Sequence, residues 1–396
     1  MKKIRRIIVL ALLIISVCLC FCQVFNRIAA NKIINKKDIK TERAANYLAA
    51  LKNKITGENS GIIVDNVKRA SNMVDNQQLN VSSIKKIVLK SKEKVVYGLY
   101  LNDSIVTADD YNSNKIRITN IISGNTRTST FPDKIIDYAD GTVLSSDSIG
   151  YGIYNLAQSK IECIPSGKML NPTFIDSEGN LILCNDGEYY CIVDRNTNKV
   201  YKLFIKQDKR NDKINHEPCV TSSDNRNSIY YNNAAKIYKC NIFDSTDFNE
   251  VIDISKYCRD ILSMVKIRGE NAVVVTCIDR EDKITCRYVN FSTHEVKELL
   301  NSIDKGSPHY KIKSNKDCTV NRIVYEEKTK NNEFRICIGE IKKGNLIKTT
   351  DVVKLNYDDS RDLTWSAYWN DDATRLYLSM YNTSSENRTG YLVNIN

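Results

Sequence analysis

Histidine, tryptophan and proline are scarce in this chain: its 396 residues include 3 His, 2 Trp, 5 Pro and 15 Gly. So little Pro and Gly is not the composition of a disordered or low-complexity protein. Three histidines leave little material for a metal site or for acid–base chemistry near neutral pH. The hydrophobic fraction of 42% is ordinary for a globular protein, and the length allows one large domain or two smaller ones.

Several catalytic motifs are absent as well. The sequence has no G-x-S-x-G, no P-loop, no G-x-G-x-x-G, no H-E-x-x-H and no C-x-x-C pair. These absences argue against serine hydrolases, nucleotide-binding folds, zincins, zinc ribbons and thioredoxin-like proteins. We therefore predict no catalytic residue, no metal site and no cofactor, and we expect that the protein is not an enzyme.

The remaining candidates for chemistry are better explained as turn and loop residues. His216, Glu217 and Cys219 could offer metal ligands, but they lack the spacing of a metal motif and suit a loop. His294 falls in a predicted turn and His309 just ahead of a repeat, and we interpret both as surface residues. Three acidic pairs could be paired carboxylates or calcium ligands, yet Asp commonly caps turns through its own backbone. These pairs are Asp109-Asp110, Asp358-Asp359 and Asp371-Asp372.

One segment is not globular. Residues 7–25 (IIVLALLIISVCLCFCQVF) carry no formal charge and follow the basic tail MKKIRR, residues 1–6. That length suits a membrane-spanning helix, and we predict an uncleaved signal anchor, with cleavage after Ala30 or a buried core helix as alternatives. The four cations of the tail predict a cytoplasmic N-terminus and an extracytoplasmic bulk, in a single-pass protein of the cell membrane.

The net charge is unevenly distributed. Residues 1–94 carry 19 Lys or Arg and 6 Asp or Glu, a net charge of +13, whereas the whole chain carries +11. The basic region covers the predicted stalk, residues 26–83, which could contact anionic lipids or an anionic wall polymer. A solvated stalk is the alternative. Because residues 95–396 are nearly neutral, we expect no nucleic-acid partner.

The stalk is predicted to be helical. Ala45, Leu48, Leu51 and Ile55 have helical spacing, and Gly57 is a plausible stop. A second and weaker helical pattern begins after Ser60. Its apolar positions are Ile62, Ile63, Val67, Ala70 and Val74.

From about Ile84 the sequence changes to short apolar runs separated by Asp, Asn, Ser and Gly. The clearest example is 172–204, which predicts four strands in one antiparallel meander. The predicted strands are 173–175, 181–184, 189–193 and 200–204. A meander of this size cannot bury both of its faces alone, so it should stack on copies of itself.

Copies of this unit recur along the chain. The turn between the first and second strands recurs seven times, beginning with LNDSIVT (101–107) and ending with WNDDATRLYLS (369–379). The turn between the third and fourth strands recurs six times. Copies lie about 38–53 residues apart, which is typical of propeller blades. We predict an all-β fold, a β-propeller of about seven four-stranded blades, with six or eight as alternatives.

Residues 369–378 (WNDDATRLYL) resemble the blade signature of TolB-type, WD40-like propellers, Trp-Ser-Pro-Asp-Gly followed by an apolar–x–apolar strand. Trp369, Asp372, Leu376 and Leu378 match that signature, whereas 370, 371 and 373 depart from it. The resemblance implies a non-catalytic scaffold outside the cytoplasmic membrane that engages other proteins. It also implies that Trp369 packs between blades, ahead of a turn at 370–374 and a strand at 375–380.

The missing seventh copy of the later turn predicts how the ring closes. The chain ends at 389–396, which suits the third strand of the last blade. Its fourth strand must come from elsewhere, or an edge stays exposed. Residues 84–89 (IKKIVL) are an unassigned strand in the right place. We predict that they pair with 390–395, so that the propeller comprises residues 84–396.

Ten cysteines lie between Cys163 and Cys337. Two pairs, Cys184 with Cys191 and Cys277 with Cys286, are predicted to face one another across hairpins. An extracytoplasmic location would permit disulfides there. Opposed strand positions often give strained bridges, so buried thiols are the favoured interpretation.

Taken together, these patterns predict an extracytoplasmic propeller anchored by residues 7–25. We expect it to bind a protein or peptide on a propeller face, without catalysis; the binding residues are not predicted. The alternative is a propeller enzyme of glycosidase or lyase type that uses channel-mouth carboxylates on a cell-envelope polymer. A sensor ectodomain is a third possibility, and it would need a membrane partner because the cytoplasmic tail is short.

Overall fold

The structure is a computed structural model that describes most of the chain from residue 95 onward and two shorter segments before it. The described ranges are 62–66, 79–89, 95–101, 103–110, 112–131, 134–139, 141–147, 150–157, 160–163, 170–176, 178–186, 189–206, 219–300, 309–329, 333–356, 362–384 and 387–396. The predicted tail (1–6), the predicted membrane span (7–25) and most of the predicted stalk (26–83) lie outside these ranges. Within them, no helix has the length and hydropathy needed to cross a bilayer.

The described residues form seven antiparallel sheets, which are the blades of a propeller. The first two strands among the described residues are β1 (Ile62–Asn66) and β2 (Val81–Leu89). Blade 1 contains β3 (Val95–Tyr100), β4 (Ser104–Ala108), β5 (Lys115–Asn120) and β6 (Thr126–Thr130). Blade 2 contains β7 (Ile135–Ala139), β8 (Thr142–Asp147), β9 (Gly150–Asn155) and β10 (Lys160–Cys163). Blade 3 contains β11 (Leu170–Phe174), β12 (Leu181–Asn185), β13 (Tyr189–Asp194) and β14 (Lys199–Lys206).

The remaining blades follow the same order. Blade 4 contains β15 (Val220–Ser222), β16 (Ser228–Asn233), β17 (Lys236–Asn241) and β18 (Asp244–Asp253). Blade 5 contains β19 (Asp260–Ile267), β20 (Ala272–Ile278), β21 (Ile284–Asn290) and β22 (Val296–Leu300). Blade 6 contains β23 (Tyr310–Ser314), β24 (Asn321–Lys328), β25 (Glu333–Lys342) and β26 (Asn345–Asn356). Blade 7 contains β27 (Leu363–Trp369), β28 (Arg375–Asn382) and β29 (Asn387–Ile395), together with β2 and β1.

The all-β, seven-bladed architecture confirms the prediction from the repeated turns. In blade 3 the predicted meander is present, with each strand within a few residues of its expected bounds. First strands of consecutive blades contact one another, for example β3 with β7 and β27 with β3. The first strands therefore lie nearest the propeller axis, and the fourth strands form the outer rim.

Strand β2 completes blade 7 by pairing antiparallel with β29. Ile84 lies opposite Val393, and Ile87 lies opposite Gly390. These are the two segments, 84–89 and 390–395, for which the sequence predicted pairing. The first and last parts of the propeller thus share one sheet, which leaves no unpaired edge on β29.

Residues 62–66 correct the predicted second stalk helix. They form a strand, β1, that pairs with β2 from Ile62 opposite Leu89 to Asn66 opposite Lys85. Two adjacent apolar residues, Ile62 and Ile63, fit a buried strand as well as a weak helix. A short isolated helix is marginal in water, whereas the outer edge of β2 supplies a ready ladder of hydrogen-bond partners.

Both tryptophans lie on β27, the first strand of blade 7. Trp365 is buried and Trp369 is partly buried, in a core that also holds Phe334 and Ile336 of blade 6. Trp369 therefore packs between adjacent blades. The turn at 370–374 separates β27 from β28, at the position that the sequence predicted.

The predicted register is correct for one cysteine pair and wrong for the other. Cys184 lies directly opposite Cys191, and both are buried thiols. Cys277 and Cys286 do not face one another. Cys277 packs in the core between blades 4 and 5, and Cys286 packs between blades 5 and 6, on the other side of the sheet.

The turn between β20 and β21 explains this error. The backbone N–H of Asp279 donates to the carbonyl of Lys283, so the hairpin closes around these two residues. Cys277 then lies opposite Thr285. A shift of one residue in register moves a strand's side chains to the opposite face, which separates the two thiols.

Candidate binding face

The turns between strands fall at the two ends of the propeller. Because neighbouring strands in a blade are antiparallel, the turns after the first and third strands lie at the same end. We call the turn after the first strand of a blade its first turn, the turn after its third strand its last turn, and this end of the propeller the first-turn face. The opposite end carries the turns after the second strands and the connections between blades.

Glu178, in the first turn of blade 3, contacts arginines from two other blades. Arg226, in the first turn of blade 4, forms an ion pair with it. Nη1 of Arg268, which follows the first strand of blade 5, lies 3.2 Å from Oε1 of Glu178. All three side chains are only partly exposed, so solvent and salt screen the cluster less than a fully exposed pair. The cluster ties three successive blades together.

Further ion pairs join neighbouring blades at the same face. Each one links a Lys or Arg of one blade to a first-turn aspartate of an adjacent blade. They are Lys266–Asp224 between blades 5 and 4 (3.3 Å), Lys313–Asp371 between blades 6 and 7 (3.4 Å), and Arg375–Asp103 between blades 7 and 1. Burial lowers the pKa of Lys266. Besides its ion pair with Asp224, the Nζ of Lys266 donates a hydrogen bond to the carbonyl of Ile267 at 2.6 Å.

This pairing places each of these first-turn carboxylates against a cation of another blade. Glu178, between two guanidinium groups, thereby links three blades. In the described part of the chain, no three His, Cys, Asp or Glu side chains are grouped so that they could hold a metal ion.

Exposed large hydrophobic side chains are concentrated on the first-turn face. In blade 1, Leu101 is 70% exposed in the first turn and Ile122 is 76% exposed in the last turn. These two turns are adjacent, because the N–H of Ile121 donates to the carbonyl of Asp103 at 2.6 Å. Leu101 has a φ of 47°, a left-handed conformation that is uncommon for leucine. Blade 1 thus holds two apolar side chains in solvent at one end of the propeller.

A second apolar patch lies on the same face, at the rim of blades 3 and 4. Phe243, in the last turn of blade 4, is 53% exposed, and Val200, near the start of β14, is 40% exposed. The ring of Phe243 packs edge-on against Tyr201 of blade 3, with 5.2 Å between ring centroids. Among the described residues, the other large hydrophobic side chain classed as exposed is Tyr257, at the opposite end.

A cavity of about 400 Å³ lies on the outer wall between blades 4 and 5. It is lined by Glu250, Val251, Ile252, Asp253, Tyr257, His294 and Val296. Nζ of Lys236 lies 2.9 Å from Glu250 and 3.6 Å from Asp253. The N–H of Ser255 donates to Asp253 at 2.8 Å and lowers the pKa of that carboxyl. The cavity has the size of a small-ligand site. Its two carboxylates, Glu250 and Asp253, are both paired with Lys236.

Two of the three predicted acidic pairs are described: Asp109-Asp110 lies in the turn after β4, and Asp371-Asp372 lies in the first turn of blade 7. Asp109 pairs with Arg117 at 2.6 Å, and Asp110 caps its own turn by accepting from the N–H of Asn112. Asp371 belongs to the ion pairs of the first-turn face. The pair Asp358-Asp359 lies outside the described residues.

The histidine candidates are also dispersed. His294 is exposed in the last turn of blade 5, as predicted. His309 is not a simple surface residue, because its ring stacks on buried Trp365 with 3.9 Å between centroids. His216 and Glu217 lie outside the described residues. The N–H of Cys219 donates to Asn232 at 2.7 Å.

The cluster of Glu178, Arg226 and Arg268 was not predicted from the sequence. A signal was present, since all three lie in or beside copies of the same first turn. The first turns meet around one axis, so charges of opposite sign at these positions can pair. Opposite charges in successive copies of the first turn are therefore the pattern that indicates such a cluster.

Comparisons with known proteins identify the fold alone. No protein-family profile matches the chain, and no curated protein matches it. Among solved structures, it is similar to an oligogalacturonate lyase in complex with manganese, with a TM-score of 0.50, 10% identity, and coverage of 85% of this chain and 98% of that chain. It is also similar to Sqt1 of Chaetomium thermophilum, with a TM-score of 0.47, 9% identity, and coverage of 84% and 91%. It is similar as well to the WD40 domain of Toxoplasma gondii coronin, with a TM-score of 0.46, 10% identity, and coverage of 85% of this chain and 87% of that chain.

Proposed function

We propose that the protein is a non-catalytic binding module that takes a protein or peptide partner on its first-turn face. The concentration of exposed apolar side chains on that face carries the proposal. Leu101 and Ile122 form one patch, and Val200 and Phe243 form another. Large apolar side chains that are held in solvent together commonly mark surfaces that bind other proteins.

We further propose that the module works at the cell envelope. The support is the uncharged segment 7–25 behind a basic tail, which predicts a single-pass anchor with the propeller outside the cytoplasm. The basic stalk would then lie close to the membrane surface, where anionic lipids or an anionic wall polymer could bind it. The resemblance of 369–378 to TolB-type propellers agrees with such a scaffold.

The second candidate is a propeller lyase or glycosidase that acts on an envelope polymer. The observation in its favour is the similarity to an oligogalacturonate lyase, but a shared propeller fold does not imply a shared reaction. Glu178 and Asp224 are held in ion pairs with cations of neighbouring blades, and we assign them to the joints between blades. We therefore rank it second.

Capture from an envelope extract tests the proposal when it is done with matched variants of the full chain. Ile122→Glu places a charge in the blade 1 patch, and we expect it to weaken capture of the partner at least ~10-fold. Ser384→Glu places a charge at an exposed position of the opposite end and should leave capture unchanged. Equal capture by both variants, together with turnover of an envelope glycan by the wild type, would favour the enzyme.

A further inference from the structure

The outer edge of blade 1 is an exposed strand that pairs regularly with its neighbour. Strand β6 pairs with β5 without any register shift, from Lys115 opposite Thr130 to Thr119 opposite Thr126. Four of its five residues are exposed, and the fifth, Ser129, is partly exposed. The strand contains no Gly or Pro, and its three threonines are β-branched residues that favour an extended backbone. It is therefore a regular sheet edge that lies in solvent.

The fourth strands of the other blades differ from β6. In blades 3 to 6 a register shift interrupts the pairing of the fourth strand with the third. In blade 2 the described pairing is even but covers only four residues. A register shift such as a β-bulge bends an edge and interrupts the ladder that an added strand would continue. Among the fourth strands that the structure describes, β6 is thus the one best suited to take a further strand.

Blade 7 shows that an outer edge of this propeller carries a fifth strand. There β1 pairs with the fourth strand, β2, over five residues and without a register shift. The pairing runs from Ile62 opposite Leu89 to Asn66 opposite Lys85. The neighbouring blade 1 offers an edge of the same length on β6.

The hydrogen bonds of the hairpin show which backbone groups of β6 are available. The N–H of Asn120 donates to the carbonyl of Asn125 at 2.9 Å, and the N–H of Phe131 donates to the carbonyl of Asn114 at 2.7 Å. Because the bonds of an antiparallel pair fall on alternate residues, the odd-numbered positions of β6 bond to β5. The even-numbered positions therefore point their N–H and C=O groups away from the sheet, at the spacing that an added strand needs. They are Thr126, Thr128 and Thr130.

Exposed cations flank β6 on both faces of the blade. Arg127 is exposed, and its guanidinium lies over the ring of Tyr100, 5.4 Å from the ring centroid. Lys115 is exposed as well and lies opposite Thr130, so it stands on the other face of the blade from Arg127. Neither cation takes part in an ion pair within the described part of the chain. Carboxylates of a bound segment would complement both charges.

We propose that the partner of the first-turn face carries an extended acidic segment, which pairs with β6 as a fifth strand of blade 1. The proposal rests on the proposed function and names how that partner binds. The outward N–H and C=O groups of the three threonines hold the backbone of the segment, and its carboxylates meet Arg127 and Lys115. Ile122 lies four residues before Thr126, at the first-turn end of β6, so the bound segment continues into the apolar patch of Leu101 and Ile122.

Site-specific photo-crosslinking of the full chain in native membranes tests the proposal. A photoreactive residue at Thr130 probes the end of β6 that is farther from the apolar patch, and mass spectrometry identifies the crosslinked peptide. We expect a segment of another protein that contains Asp or Glu. A crosslink to a second copy of this chain, or to a segment without Asp or Glu, overturns the proposal.

Two substitutions of one residue test the backbone pairing. Thr128→Pro removes an N–H that points away from β5, so the blade keeps its own ladder, and the crosslink from position 130 should fall at least ~10-fold. Thr128→Ala keeps this N–H and should retain the crosslink. Equal crosslinking by the two variants, at equal midpoints of denaturant unfolding, overturns the pairing.

A second pair of variants tests the charge. Arg127→Glu should lower the crosslink from position 130 about 10-fold, whereas Arg127→Lys should retain it. Because Arg127 is exposed, this pair decides the question even if Thr128→Pro fails to fold. Equal crosslinking by Arg127→Glu and Arg127→Lys overturns the acidic character of the segment.

Crosslinking from Ile122 separates this proposal from the proposed function. A crosslink from position 122 without one from position 130 overturns the strand pairing and leaves the binding face standing. The absence of a crosslink from both positions overturns the two together.

Discussion

Glu178 and Arg268 form an ion pair although they belong to blades 3 and 5, which are not neighbours in the ring. The Arg226 side chain of the intervening blade contacts the same carboxylate. Side chains of three first turns thus meet at one point of the first-turn face. This contact requires the curvature that turns the first turns of blades 3, 4 and 5 toward one another.

Glu178→Gln should weaken the joint between these blades. The variant keeps the size of the side chain but removes the charge that two guanidinium groups share, and we expect the free energy of unfolding to fall by roughly 1–2 kcal/mol. Denaturant unfolding measures this change. The matched control is Glu281→Gln, whose exposed pair with Lys283 lies within one turn and should change stability by less than about 0.5 kcal/mol. Equal losses of stability in the two variants would contradict the claim that the Glu178 cluster holds these blades together.

Gly269→Ala should be far more damaging than Gly124→Ala. Both glycines have positive φ, 75° and 73°, so each substitution costs about 1 kcal/mol in backbone conformation. A Cβ at Gly269 would also overlap the carbonyl oxygen of Cys318 in blade 6, whereas nothing lies within 4 Å of a Cβ at Gly124. We expect at least about 2 kcal/mol more loss at Gly269, measured by denaturant unfolding. A similar loss at both positions would show that blades 5 and 6 do not approach so closely.

The two tryptophans offer another matched pair. Nε1 of Trp365 donates to Glu326 at 2.9 Å, whereas the buried Nε1 of Trp369 has no hydrogen-bond partner among the described residues. Trp365→Phe should cost about 2–3 kcal/mol, because it removes buried volume and leaves Glu326 without that donor. Trp369→Phe removes a similar volume but no hydrogen bond, so it should cost less by about 1 kcal/mol. Denaturant unfolding checks both, and a larger loss at Trp369 would contradict this packing.

The closing strand can be tested within one short segment. Ile87 of β2 is fully buried against Leu99 and Ile105 of blade 1, and Ile84 of the same strand is only partly buried. Ile87→Ala should cost about 2–4 kcal/mol in the free energy of unfolding, and Ile84→Ala clearly less. A larger loss for Ile84→Ala than for Ile87→Ala would show that β2 does not fill the space between blades 7 and 1.

The repeated local pattern is what made the fold readable from the sequence. Short apolar runs between Asp, Asn and Gly turns predicted the four strands of 172–204, and the count of two turn series predicted seven blades. Both signals depend on neighbouring residues, whose geometry is set by turn chemistry and by strand alternation. The segment 389–396 added the observation that one strand was missing from the last blade.

Contacts between distant residues could not be read in this way. The link between Glu178 and Arg268 depends on how blades 3, 4 and 5 are arranged around the axis, and no local pattern encodes that distance. The error at Cys277 arose because a hairpin turn that closes one residue away reverses the face of every side chain. Residues 62–66 were predicted as helix because two adjacent isoleucines do not distinguish a weak helix from an edge strand.

Site-specific photo-crosslinking in native membranes tests most directly whether the first-turn face binds a partner. A photoreactive residue is placed at Ile122, on the first-turn face, or at Ser384, exposed at the opposite end. The account predicts one discrete crosslinked protein from position 122 that is absent from position 384 and is lost when Leu101→Glu is added. Equal crosslinking from both positions, or crosslinking from position 384 alone, would contradict it.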